Sequence, residues 1–181
     1  NFYHYYISIP NMCADFKALS SYKTYDQYYT PKWVWEKLKN LVPKEYVIWE
    51  ACMLNATNSK SIEIWEEMGY KVIGNTTWDI LTCEIPKCDI IITNIPFGTE
   101  IKKNILKRLM QINKPFIIIM NICNTFSNYF REIMDLENTQ IIIPRGKLHY
   151  QIDGEKENKN TSFYTCFVAY KMNLKTNQLW V

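Results

Sequence analysis

The runs Ile90-Ile91-Ile92 and Phe116-Ile117-Ile118-Ile119-Met120 contain no polar residue. A strand with one face in water alternates apolar and polar side chains, so a run without alternation has to be covered on both faces. Helices on both sides of a parallel sheet provide that cover, and helix-like segments do alternate here with strand-like ones. The expectation is an α/β three-layer sandwich with a mostly parallel sheet, whose last two strands form an antiparallel hairpin. A chain of 181 residues with 48% apolar content can bury a sizeable core as one domain.

The elements can be placed along the chain. Thr30 and Pro31 suit a helix start, as N-cap and first helical residue. The segments Tyr46-Val47-Ile48-Trp49-Glu50 and Tyr70-Lys71-Val72-Ile73 read as the first two core strands, and residues 89–94 as the next. Thr99 and Glu100 open an amphipathic helix with Ile101, Ile105, Leu106, Leu109 and Met110 on one face. Lys102, Lys103, Lys107 and Arg108 lie elsewhere on it and are candidate phosphate contacts, although a charged helix face is usually just solvated. Residues 127–135 read as a helix and residues 139–143 as a strand. Residues 162–171 read as its hairpin partner, and the mixed-charge stretch 153–160 as a mobile hairpin loop.

The strand at 89–94 ends in Asn94-Ile95-Pro96-Phe97. A buried strand closing in a proline turn with a core Phe would account for it. The tetrapeptide also resembles the catalytic loop of adenine-N6 methyltransferases, with Ile95 where most DNA enzymes of that family have Pro and where ribosomal-RNA adenine dimethylases have Leu or Ile. The exocyclic nitrogen of adenine is a poor nucleophile because its lone pair is delocalised. A catalyst must therefore hold the amino group with acceptors that favour a more tetrahedral nitrogen. The resemblance implies that the Asn94 side-chain oxygen and the Ile95 carbonyl are those acceptors. Pro96 would fix their direction, and Phe97 would stack on a base lifted from its helix.

Three upstream segments extend the resemblance to the Rossmann-like methyltransferase sandwich. Tyr25-Asp26-Gln27-Tyr28-Tyr29-Thr30-Pro31 is similar to the segment that lines the pocket for S-adenosylmethionine, which assigns Tyr28 and Thr30 to the cofactor. Trp49-Glu50 is similar to the end of the first strand in small adenine-methyltransferase-like proteins of phages and large DNA viruses, and this places Glu50 at the cofactor. Those proteins continue with a glycine-rich loop, whereas this chain has no glycine between Glu50 and Gly69. Asn55 and Asn58, which tolerate the left-handed region, can substitute for it in part, whereas Leu54 and Ala56 cannot do so cheaply. Asn75 stands where the family has a ribose-binding carboxylate, and Asp79 resembles the residue that accepts from the cofactor's adenine amine. The resemblance covers residues 25–172, with 1–24 as an N-terminal extension and 173–181 as a C-terminal tail. A chain opening on Asn1 leaves upstream residues open.

Other features narrow the classes. No run is long enough to cross a bilayer, and no signal-peptide pattern opens the sequence, so the expected location is cytoplasmic or nuclear, or a virion. The six cysteines have no paired metal spacing, and with two histidines they complete no zinc site. A net charge of +3 does not announce nucleic-acid binding by itself, and Arg145 and Lys147, in a turn near the expected catalytic edge, are the better phosphate contacts. Two functions follow. One is an S-adenosylmethionine-dependent adenine-N6 methyltransferase acting on DNA or RNA. The other is an inactive relative without cofactor, serving through protein partners as a structural or binding component of a viral particle or nucleoprotein complex.

Overall fold

The structure is a computed structural model that describes residues 28–52, 60–75, 79–152, 156–158, 163–176 and 178–181. In chain order the elements are β1 (Tyr28–Tyr29), α1 (Lys32–Glu36), β2 (Val47–Trp49), α2 (Lys60–Glu67), β3 (Lys71–Ile73), β4 (Ile90–Asn94) and α3 (Thr99–Ile112). They continue with β5 (Phe116–Asn121), a 3-10 helix (Ile122–Phe126), α4 (Asn128–Ile133), β6 (Thr139–Ile143), β7 (Tyr150–Ile152), β8 (Lys156–Asn158), β9 (Thr165–Tyr170) and β10 (Gln178–Trp180).

A seven-stranded sheet has the order β10-β6-β9-β5-β4-β2-β3. All of its pairings are parallel except those of β9, which runs antiparallel to β5 on one side and to β6 on the other. This is the mostly parallel sheet with an antiparallel C-terminal pair that the sequence predicts. Unbroken apolar runs occupy its middle, as their lack of alternation requires. Ile90 and Ile92 of β4 pack on one face with Ile117 and Ile119, beneath Val34, Trp35 and Leu38 of the α1 region and Trp65 of α2. Ile91 packs on the other face with Phe116, Ile118 and Met120, beneath Ile105, Leu106 and Leu109 of α3 and Phe130 of α4. Each such side chain contributes about 1.5–3 kcal/mol when fully buried.

Several details depart from the sequence reading. Pro31, rather than Thr30, is the N-cap of α1, in an extended conformation and without a side-chain cap, since proline carries no side-chain acceptor; the Thr30 hydroxyl accepts from Asn94. Strand β9 is buried along its whole length, because its edges pair with β5 and β6 while Cys166 and Val168 pack into the core on one face of the sheet and Phe167 and Ala169 into the core on the other. The segment after Met172 adds an edge strand, β10, parallel to β6. Residues 156–158, read as loop, pair with β7, and β7 pairs with β1, so β1-β7-β8 forms a separate three-stranded sheet.

Helix α3 ends on Asn113, whose left-handed backbone (φ 57°) lets its N–H donate to the Leu109 carbonyl at 3.0 Å. Its side-chain oxygen accepts from Tyr170 Oη at 3.2 Å and Lys171 Nζ at 2.7 Å, tying the helix end to the end of β9.

Candidate functional site

Strands β2, β4 and β5 are parallel, so their carboxyl ends share one edge, the place where open α/β sheets bind ligands. Asn94 is the last residue of β4. Its amide Nδ2 donates to the hydroxyl of Thr30, 3.3 Å away, so two residues singled out separately in the sequence meet across the chain. Thr30 is itself buried. Ile95 is 2% exposed and anchors the loop in the core, which leaves Pro96 and Phe97 half-buried at the rim. The Phe97 ring centre lies 5.1 Å from that of Phe163, at 50°, and Phe163 in turn lies 5.8 Å from Tyr150. Neither Phe163 nor Tyr150 stands out in the sequence, where an aromatic flanking a strand looks like core.

Glu50, just past β2, turns inward. It is buried, and its Oε1 accepts a short hydrogen bond from the Thr93 hydroxyl and another from the Cys52 N–H at 3.3 Å. The Thr93 oxygen accepts from the same N–H at 3.1 Å. Burial pushes the Glu50 carboxyl above its ordinary range, with the bonds from Thr93, Ser61 and Cys52 pulling the other way. Burial and the neighbouring Glu50 charge push the Cys52 thiol up to about 12.

The other predicted residues are spread around the edge. Tyr28 pairs with Ile152 through the backbone, and the Tyr29 ring faces the ammonium of Lys60 at 5.6 Å, at the start of α2. Asn75 is exposed just past β3. Asp79 is exposed as well and forms a side-chain turn, with Oδ1 accepting from Leu81 N–H at 2.9 Å. Asn55 and Asn58 lie outside the described residues. At the end of β6 the exposed Arg145 donates its backbone N–H to Val181, and Lys147 places its ammonium 5.4 Å from the Tyr164 ring centre.

The α3 cations are only in part the solvated row the sequence suggests, with Lys107 exposed. Lys102 is 4% exposed and donates to Asn124 Oδ1 at 3.3 Å. Arg108 holds the carbonyls of Ile80 at 3.2 Å and Cys83 at 3.1 Å, and Lys103 pairs with Glu100. Among the described residues no His, Cys, Asp and Glu side chains form a group that could hold a metal ion, and no helix is long and apolar enough to cross a membrane.

No family model matches the chain, and no curated protein matches it. Among solved structures it is similar to TrmN from Thermus thermophilus, with 10% identity, 77% of this chain and 48% of that one covered, and a TM-score of 0.42. It is also similar to the B. subtilis tRNA methyltransferase TrmK, with 12% identity, 75% and 64% covered, and a TM-score of 0.40. A SAM-dependent O-methyltransferase from Thermotoga maritima matches with 7% identity, 77% and 64% covered, and a TM-score of 0.42. The chain thus spans about half to two thirds of the length of these structures. Likeness at this level carries no argument about reaction or substrate. By its own strand order and its two helical layers, the chain is a Rossmann-like α/β sandwich.

Proposed function

We propose that the chain is the catalytic fold of an S-adenosylmethionine-dependent adenine-N6 methyltransferase acting on DNA or RNA. The observation that carries this reading is the position of Asn94-Ile95-Pro96-Phe97, at the carboxyl end of central strand β4. Asn94 is tied to Thr30, Ile95 is locked in the core, and Phe97 sits at the rim. A base entering there meets polar acceptors at Asn94 and an aromatic surface at Phe97. Asn94 orients the amino group, while Ile95, anchored below, keeps the loop from yielding. S-adenosylmethionine, when bound, supplies the methyl group.

Thr30, Asn75 and Asp79 suit the polar groups of that donor, since an amide and a carboxylate stand exposed beyond β3 and a hydroxyl lies beside Asn94. Glu50 does not suit it, because its carboxyl is turned onto Thr93 and Cys52. That inward Glu50 favours the second reading, an inactive fold retained as a binding or structural component.

Calorimetric titration with S-adenosylmethionine and its demethylated product separates the two. Micromolar binding supports the enzyme, and absence of binding at millimolar ligand supports the scaffold. If the protein is active, Asn94→Ala abolishes transfer to adenine and leaves donor binding in place. Loss of both together would make Asn94 a structural residue and overturn its assigned role.

A further inference from the structure

Two large aromatic side chains stand in water at the carboxyl edge. Phe126 is 75% exposed and Tyr164 is 64% exposed, while the other exposed large apolar side chains among the described residues, Ile85, Ile101 and Leu136, are aliphatic. The two aromatics belong to adjoining segments. Phe126 ends the 3-10 helix that follows β5, and Tyr164 immediately precedes β9. Those segments join where the Ile122 N–H donates to the Tyr164 carbonyl at 2.9 Å, beside the register pair Asn121 and Thr165. With a rise of about 2 Å per residue, Phe126 lies about 8 Å along the helix from that junction. Lys147 covers the Tyr164 ring, and Arg145 is exposed on the same turn after β6.

We infer that this edge is a platform for a single-stranded polynucleotide, with bases stacking on Phe126 and Tyr164 and phosphates pairing with Lys147 and Arg145. The inference rests on the adenine-methyltransferase reading and names the strandedness of its substrate. An exposed aromatic face binds any base whose own face is open, and in a duplex the neighbouring bases occupy those faces. A lysine beside the ring adds attraction for the backbone. Strands β4, β5, β9 and β6 are consecutive in the sheet. Three steps of about 4.8 Å span about 14 Å, which is the length of about four stacked nucleotides at about 3.4 Å each. A strand with one base at Asn94 therefore carries its neighbours across Phe126 and Tyr164 to Lys147.

Fluorescence anisotropy tests this with a short labelled adenine-containing oligodeoxynucleotide, its ribonucleotide counterpart, and the deoxy strand annealed into a duplex. Both single strands are expected to bind within about threefold of each other, because rings and ammonium groups do not read the 2′-hydroxyl, and about tenfold or more tighter than the duplex. Tyr164→Ser and Phe126→Ser should each weaken single-strand binding about fivefold or more, whereas Tyr164→Trp retains it. Lys147→Gln should lower the slope of log affinity against log salt by about one. Duplex binding as tight as single-strand binding, or serine variants within twofold of the parent, overturns the platform.

Donor calorimetry and a methyl-transfer assay run alongside keep the two readings apart. Tyr164-dependent strand binding without donor binding removes the enzyme and leaves the platform. Methyl transfer to duplex that Tyr164→Ser leaves unaltered removes the platform and leaves the enzyme.

Discussion

Thr93 is fully buried at the end of β4, and its hydroxyl is both a donor to Glu50 and an acceptor from Cys52. Thr93→Val keeps the side-chain shape and removes both roles. The Cys52 N–H then keeps only its 3.3 Å bond to Glu50, and the carboxyl loses its shortest partner. Leaving a buried polar group short of its partner costs about 1–3 kcal/mol. At about 2 kcal/mol, a domain of this size loses about 4–8 °C in Tm. Circular dichroism melts and urea unfolding at neutral pH would read the loss.

Glu50→Gln supplies the companion measurement. Burial holds the Glu50 carboxyl above the usual value of 4.5, so the folded chain binds that proton more tightly than the unfolded one. The contribution of Glu50 is fully present below that usual value and is lost as pH rises through the raised folded value. The glutamine variant therefore matches the parent at low pH and gains on it toward neutral pH. Combined with Thr93→Val, it should fall short of additivity by about 0.5 kcal/mol or more. A Thr93→Val loss below about 0.5 kcal/mol, or strictly additive costs, would refute the buried cluster as described.

Three further tests address other parts of the structure. Tyr70 shares its single hydroxyl hydrogen between the carbonyls of Lys39 at 2.5 Å and Val42 at 2.9 Å, so Tyr70→Phe should cost about 1–2 kcal/mol in urea unfolding, and no change would show the bond idle. Cys123 is exposed, whereas burial pushes Cys52 and Cys166 up to about 12. A thiol reagent at mildly alkaline pH should mark Cys123 first in peptide mass spectra, and equal labelling of the buried Cys166 would contradict its burial. Arg108→Met should speed amide exchange at Thr82 and Cys83 about tenfold, because the guanidinium no longer holds the carbonyls of that turn, and unchanged exchange would count against it.

The central strands were legible because burial on both faces is written directly into an unbroken run of isoleucines, and α3 because its apolar residues recur at helical spacing. Asn94 could be placed at a strand end for the same reason. The pairing of Tyr28 with Ile152 was not legible, since it joins residues far apart in the chain and neither strand carries a pattern of its own. Residues 162–171 read as the hairpin partner of β6, and nothing in them says that both faces are covered. Core layers on both sides of the sheet supply that cover, and no signal local to the strand reports them. Glu50 was readable as a carboxylate at a strand end, but its inward turn depends on Thr93, a residue on another strand with nothing unusual about it. Lys102 looked solvated because a lysine on a helix is usually so, and its hydrogen bond to Asn124, 22 positions on, has no signal in the sequence.

The antiparallel insertion of β9 also orders events during synthesis. Neither the free edge of β5 nor the inner edge of β6 can be satisfied until residues 165–170 emerge, and Thr165 follows Asn121 by 44 positions. At about 5–20 residues per second, a ribosome leaves the completed β5 edge open for about 2–9 s. During that interval the nascent chain carries one of its most apolar strands with a full row of unpaired amides and carbonyls, a template for a neighbouring chain on the same message. Yield of folded protein should therefore be set by how quickly that last central strand is delivered, and synonymous codons that stall translation between positions 121 and 165 should divert the product into aggregates.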